Sequence, residues 1–182
     1  VPKSMRARHI IDRGLKRRWT DELIEKYLGK YEAGWLMYAA DAKFRDNAAS
    51  GGTITALLDY LLKAGKVDGA LVLSSFVEVN EVRARYEIAT SREVLIRAQG
   101  SKYLTTNFGR DAVPLIKSFP GKLAVVLLPC DSWIVNRLRD NNQEIMAKIA
   151  LRITLFCGHI SDPGLTRDVI RKQKSRGVSL TD

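Results

Sequence analysis

Two apolar runs constrain this chain most: Leu123-Ala124-Val125-Val126-Leu127-Leu128 and Leu151-Arg152-Ile153-Thr154-Leu155-Phe156. The first is followed by Pro129-Cys130 and the second directly by Cys157. Hydrophobic, β-branched runs of this length read as strands of a sheet buried on both faces. In open α/β sheets, ligands bind in the crevice beyond the carboxyl ends of the strands. Both cysteines fall there. The competing reading is core filling, since free cysteine is among the most buried residue types. Placement alone leaves both open.

The flanking segments supply the helices. Thr20-Asp21 starts a helix through Glu22, Leu23, Ile24, Tyr27 and Leu28, stopped by Gly29. Trp35, Leu36, Met37 and Tyr38 predict a short strand or packed turn. Ile54, Leu57, Leu58, Leu61 and Leu62 recur at the spacing of one helix face, and Gly65 terminates that helix. A strand at 69–73 follows, then an alternating strand at 83–89 that pairs with it as a hairpin. A short helix opens at Ser91 and closes at Gly100. Beyond it come a helix at 109–118, a strand at 122–128, a helix at 132–149, a strand at 150–156 and a basic helix from Thr166. Alternating helix and strand implies an α/β fold with a mostly parallel, mixed sheet flanked by helices, preceded by a basic, helical N-terminal arm. The expected organisation is an arm and helical lead-in at 1–43, an α/β domain at 44–165, and a basic helix at 166–182 that begins a segment cut short.

Bulk properties narrow the class. At 182 residues and 46% hydrophobic, the chain can bury a real core. No apolar run approaches the roughly 20 residues of a membrane span, and no secretory signal follows the basic start. Two cysteines without a disulfide framework predict a reducing, cytoplasmic setting. The net charge of +10 is concentrated at the ends. Residues 1–20 carry seven cations against Asp12, and residues 165–182 carry five against Asp168 and Asp182. The middle is nearly neutral, so no uniform nucleic-acid face is expected. The basic ends are either solvated or contact an anionic polymer, lipid or acidic partner.

Three motifs could carry chemistry. Ser50-Gly51-Gly52-Thr53 opens a helix, where free N–H groups and glycines can receive a phosphate. It lacks the spacing of a dinucleotide fold and the lysine of a P-loop, and ordinary capping by Ser50 is the alternative. Gly100-Ser101-Lys102-Tyr103 combines a hydroxyl, a cation and an aromatic ring that can hold a phosphate and stack on a planar cofactor. A plain surface loop is the alternative. Pro129-Cys130-Asp131-Ser132 puts a thiol near a helix N-terminus, which favours thiolate and metal ligation. Cys157 and His159 are its neighbours in kind. If the two strands pair directly, their ends lie about 5 Å apart. Cys130, Cys157 and His159 still give three ligands where a structural zinc needs four. No CxxC is present, and nothing local supports a Cys/His protease.

Taken in order, Ala49 to Leu58, Val67-Asp68-Gly69-Ala70-Leu71-Val72, Gly100-Ser101-Lys102-Tyr103, Leu128-Pro129-Cys130 and Leu155-Phe156-Cys157-Gly158 resemble the coenzyme F420 hydrogenase/dehydrogenase beta-subunit family. The resemblance covers residues 44–165. It implies a flavin-binding iron–sulfur oxidoreductase that relays electrons between a 4Fe–4S cluster or partner protein, FAD, and an acceptor such as the deazaflavin F420. Related members reduce a chlorophyll derivative, and others occur in polysaccharide gene clusters. Carried over, Ser50, Gly51, Gly52 and Thr53 would lie at the flavin phosphate or ribose. Gly100, Ser101, Lys102 and Tyr103 would line the flavin site, and Cys130 and Cys157 would ligate the cluster. A 4Fe–4S cluster takes four thiolates, and this sequence has two. Either further ligands lie outside it, or the cluster is lost and a flavoprotein or a non-redox, polysaccharide-related member remains. Nucleic-acid binding ranks last, because the aromatic residues form no stacking platform.

Overall fold

The computed structural model describes residues 20–78, 81–158 and 163–179. The basic arm at 1–18 and His159 therefore lie outside the described residues. The chain divides into two compact units, Val1–Tyr38 and Ala39–Asp182.

In the first unit, α1 (Asp21–Leu28) starts as the sequence predicts. Thr20 Oγ1 accepts the Leu23 amide at 3.2 Å, and Gly29 stops the helix at φ +80°. Ile24 is buried. Trp35–Tyr38 form no strand; all four side chains are exposed.

The second unit is built on one four-stranded sheet in the order β2-β1-β3-β4. β1 (Gly69–Glu78) and β2 (Glu81–Ala89) form the expected antiparallel hairpin, in register from Ala70 opposite Ala89 to Glu78 opposite Glu81. β1 pairs in parallel with β3 (Leu123–Leu127), and β3 in parallel with β4 (Ile149–Thr154). The 123–128 run is near-continuous because both faces of the sheet are covered there, but the 151–156 run, expected to be buried in the same way, forms the edge strand and its exit, where Leu151, Leu155 and Phe156 are exposed. Leu71, Leu123, Val125 and Leu127 pack on one side with Phe108, Ile116, Val135 and Ile145. Ala70, Val72 and Ala124 pack on the other with Leu58 and Leu95. Successive strand residues point to opposite faces, so a run covered on both must be apolar at nearly every position.

Helices α2 (Ala42–Arg45), α3 (Thr53–Lys63) and α4 (Arg92–Arg97) lead up to and follow the hairpin, and α3 and α4 carry the second core cluster. The opposite face is covered by α5 (Val113–Ser118), α6 (Pro129–Asn141) and α7 (Gln143–Lys148). The last element is α8 (Pro163–Lys174).

Two helices differ from the sequence reading. The helix expected at 109–118 begins as a π-helical turn, Phe108–Ala112, and becomes α-helical at Val113. Pro114 has no N–H for an α-type bond, and its ring crowds the carbonyl four residues back. Widening the turn relieves both conflicts. The helix expected at 132–149 starts earlier, at Pro129, and breaks at Asn142, whose φ/ψ is −143°/64°. Adjacent asparagines compete with the helical backbone for hydrogen bonds there. Among the described residues no helix is long and apolar enough to cross a membrane.

Candidate functional site

The first glycine turn is a backbone device. Gly51 and Gly52 have φ of +53° and +72°. Gly52 is itself the N-cap of α3, with no side-chain cap, so the expected capping by Ser50 does not occur. A Cβ on Gly52 would overlap the Phe44 carbonyl, 2.6 Å from its carbon. Glycine is required here both for the left-handed conformation and for the close approach to another backbone segment. The Gly51 carbonyl accepts the Ala39 amide at 2.6 Å, which fixes the turn from its other side.

The second glycine motif meets the first through that same Phe44 carbonyl. Gln99 Nε2 donates to Phe44 O at 2.8 Å, while Gln99 Oε1 is buried without a hydrogen-bond partner in the protein. Gly100 follows at φ +83°. Lys102 Nζ then folds back onto the end of α4, donating to the carbonyls of Ala98, Gln99 (2.7 Å) and Gly100 (3.0 Å). All three ammonium protons are used, which makes Lys102 a C-terminal cap instead of a cation presented to solvent. Burial pushes its pKa down to about 8, opposed by the Glu87 carboxylate. Ser101 and Tyr103 stay exposed.

An ion-pair network fastens the Phe44 segment to α3 and α4. Arg92 lies over the Phe44 ring at 4.2 Å, bonds Asp41, and reaches Asp59 at 3.4 Å. Lys63 bonds the same Asp59 carboxylate at 2.8 Å. The Arg92 hydrogen bond holds the Asp41 carboxyl below its usual range.

The second locus is the carboxyl edge of β3 and β4. The final ladder pair is Leu127 with Thr154, and the Leu155 amide donates to Leu127 O at 2.9 Å. Cys130 and Cys157 each lie three residues past that pair, so both leave the sheet on the same edge. Both are exposed, which removes the core-filling alternative. Cys130 is not the end of a strand but the second residue of α6. Its Sγ lies 3.9 Å from Asp131 Oδ1, and Asp131 Oδ2 accepts the Leu128 amide at 3.0 Å. Asp131 thus reaches back to close the helix start while Leu128 occupies the cap position. Burial raises its pKa, with the Leu128 amide and Cys130 pulling the other way. Ser132 and Thr154 hydroxyls meet at 2.8 Å, tying α6 to β4. Among the described residues no group of three or more His, Cys, Asp or Glu could hold a metal ion. Two thiols do not make the four-ligand set of a 4Fe–4S cluster.

Sequence reasoning missed Tyr86. Its hydroxyl shares a 3.1 Å hydrogen bond with Thr106, and its ring meets Phe108 edge-on at 5.6 Å. Burial raises its pKa to about 12; the Thr106 hydrogen bond opposes that rise, and the carboxylates of Asp131 and Asp111 add to it. Alternation along 83–89 places Tyr86 on an inward-facing strand position. No signal in the sequence joins it to Asp131, 45 residues away.

Residues 35–110 match the family model for the N-terminal domain of the coenzyme F420 hydrogenase/dehydrogenase beta subunit. That stretch contains both glycine turns and Tyr86; Cys130 and Cys157 lie beyond it. The F420-dependent formate dehydrogenase 1 subunit beta of Methanococcus maripaludis is 30% identical over 140 residues, covering 75% of this chain and 34% of that protein. The coenzyme F420 hydrogenase subunit beta of Methanosarcina barkeri is 26% identical over 147 residues, covering 73% and 46%. A chain of the F420-reducing NiFe hydrogenase complex from Methanosarcina barkeri superposes with a TM-score of 0.64 at 22% identity, over 74% of this chain and 47% of that one. The last likeness concerns the fold alone. The chain spans 46% and 34% of these two curated relatives. Over residues 35–110 this chain matches the N-terminal domain of the coenzyme F420 hydrogenase/dehydrogenase beta-subunit family, and its likeness to beta subunits of that family extends over about three quarters of its length.

Proposed function

We propose that this chain is the flavin- or deazaflavin-coupled electron-transfer part of an oxidoreductase beta subunit, working in the cytoplasm with a redox partner protein. The observation that carries the reading is the family match across 35–110, which takes in both glycine turns that converge on the Phe44 carbonyl. When bound, FAD or coenzyme F420 supplies the hydride or single-electron chemistry. The chain's own residues supply binding and orientation. The Ser50-Gly51-Gly52-Thr53 turn presents the first-turn N–H groups of α3 to an anionic group. The exposed Tyr103 ring offers a stacking face, and Ser101 a hydroxyl beside it. Lys102 is a positioning residue here: it fixes the Gly100–Tyr103 loop on the end of α4. Cys130 and Cys157 contribute two of the thiolates that an iron–sulfur centre would need, and no step is derived through such a centre.

The test is a titration of anaerobically purified protein with FAD and with coenzyme F420, followed by fluorescence quenching alongside flavin and iron assays. Tyr103→Ala is expected to weaken binding about three- to tenfold, while Trp133→Ala on α6 leaves it unchanged. Protein that takes up neither cofactor overturns the reading.

A further inference from the structure

The basic C-terminal helix is not absorbed by that function, and three of its exposed cations share one open cavity. Arg167, Ile170, Arg171 and Lys174 line a cavity of about 290 Å³ together with Glu81, the first residue of β2. Positions 167, 171 and 174 fall on one face of α8 at the spacing of neighbouring turns. The helix is held at its start, where Thr166 Oγ1 donates to Tyr103 O at 3.1 Å. The lining therefore carries three cations and one carboxylate, with Asp168 pairing Arg171 from outside it. The lining carboxylate is engaged sideways, with Glu81 3.6 Å from Arg83. Arg171 bonds Asp168 within α8, which orients its guanidinium.

We propose that this cavity is an anion site, distinct from the glycine turns, that takes the phosphate or diphosphate group of a small molecule. Arginine forks suit phosphate oxygens bidentately. Ile170 offers apolar contact to whatever carries the phosphate. The volume lies just below the range of pockets that enclose a whole drug-sized ligand, so it suits a charged group with the remainder outside. A long polyanion would engage Lys172 and Arg176 as well, and neither lines the cavity.

The experiment is calorimetric titration of the full chain with inorganic pyrophosphate and with orthophosphate, without divalent metal. Arg167→Gln and Arg171→Gln are each expected to weaken pyrophosphate about tenfold or more, the worth of a charged hydrogen bond. Lys172→Gln, on the same helix but outside the cavity, leaves it unchanged. Glu81→Gln tightens binding several-fold by removing the one lining carboxylate, a gain that misfolding cannot mimic. An equal loss in Lys172→Gln, no gain in Glu81→Gln, or no pyrophosphate binding overturns the proposal. So does retention of an RNA oligonucleotide or of phosphatidylserine vesicles that pyrophosphate cannot displace. Because the readout needs neither FAD nor F420, its failure leaves the flavin reading standing, and the converse also holds.

Discussion

Single residues hold the glycine turns in place, and Gly52 is the least replaceable of them. Its left-handed φ alone costs a side chain about 1–2 kcal/mol, and a Cβ would also strike the Phe44 backbone. Gly52→Ala is expected to destabilise the fold by about 2 kcal/mol or more, seen as a lower denaturation midpoint. Gly29, with φ +80° and no atom within 4 Å of its Cβ position, serves as the comparison and should lose less. Tyr86 makes a second prediction at this scale. Its folded pKa of about 12 lies above the ordinary phenol value of about 10. The unfolded chain therefore releases this proton first as pH rises. The stability contribution is whole below about pH 10 and is lost between about 10 and 12. Tyrosinate absorbance should show a late-titrating component that disappears in Tyr86→Phe; a wild-type titration with no such component would contradict the burial described here.

At the scale of elements, the Arg92 network joins pieces that the chain separates widely. Asp41 precedes α2, Asp59 lies in α3 and Arg92 opens α4. Asp59 is nearly enclosed, with its carboxylate shared by Lys63 and Arg92. Asp59→Ala should cost about 1–3 kcal/mol by leaving Arg92 short of a partner. A double-mutant cycle with Arg92→Ala should show coupling, and strict additivity would mean the two act separately. The carboxyl edge of the sheet is organised in the same manner. Asp131 closes the start of α6 on Leu128, and the Ser132–Thr154 contact sets α6 against β4. These bonds hold Cys130 and Cys157 on one rim.

For the molecule as a whole, both core clusters are drawn from residues of the second unit. A chain lacking residues 1–38 is expected to keep a single cooperative thermal transition and the same far-ultraviolet dichroism per helical residue. A broad, non-cooperative melt would show that the first unit completes the core.

The fold class was legible because period and burial are local properties. The 123–128 run, the 54–62 helical spacing and the hairpin alternation each follow from which faces of an element meet the core. The interruptions were harder to read. Pro114 announces a conflict but not its resolution as a π turn, and Asn141-Asn142 marks a possible break without placing it. The two cysteines show the boundary most clearly. Spacing put them at strand ends, and the parallel register of β3 and β4, with both thiols exposed, put them on one edge. Lys102 ran the other way: a cation in a glycine loop reads as a ligand for phosphate until three carbonyls are seen around it. The sequence by itself determined the elements, their order and the motifs, since propensity and periodicity are written residue by residue. Tertiary contacts alone settle which motifs share a carbonyl, which charges are already spent, and that Tyr86 meets Thr106 and Phe108. Those facts depend on contacts between residues far apart in the chain, and no local pattern encodes them.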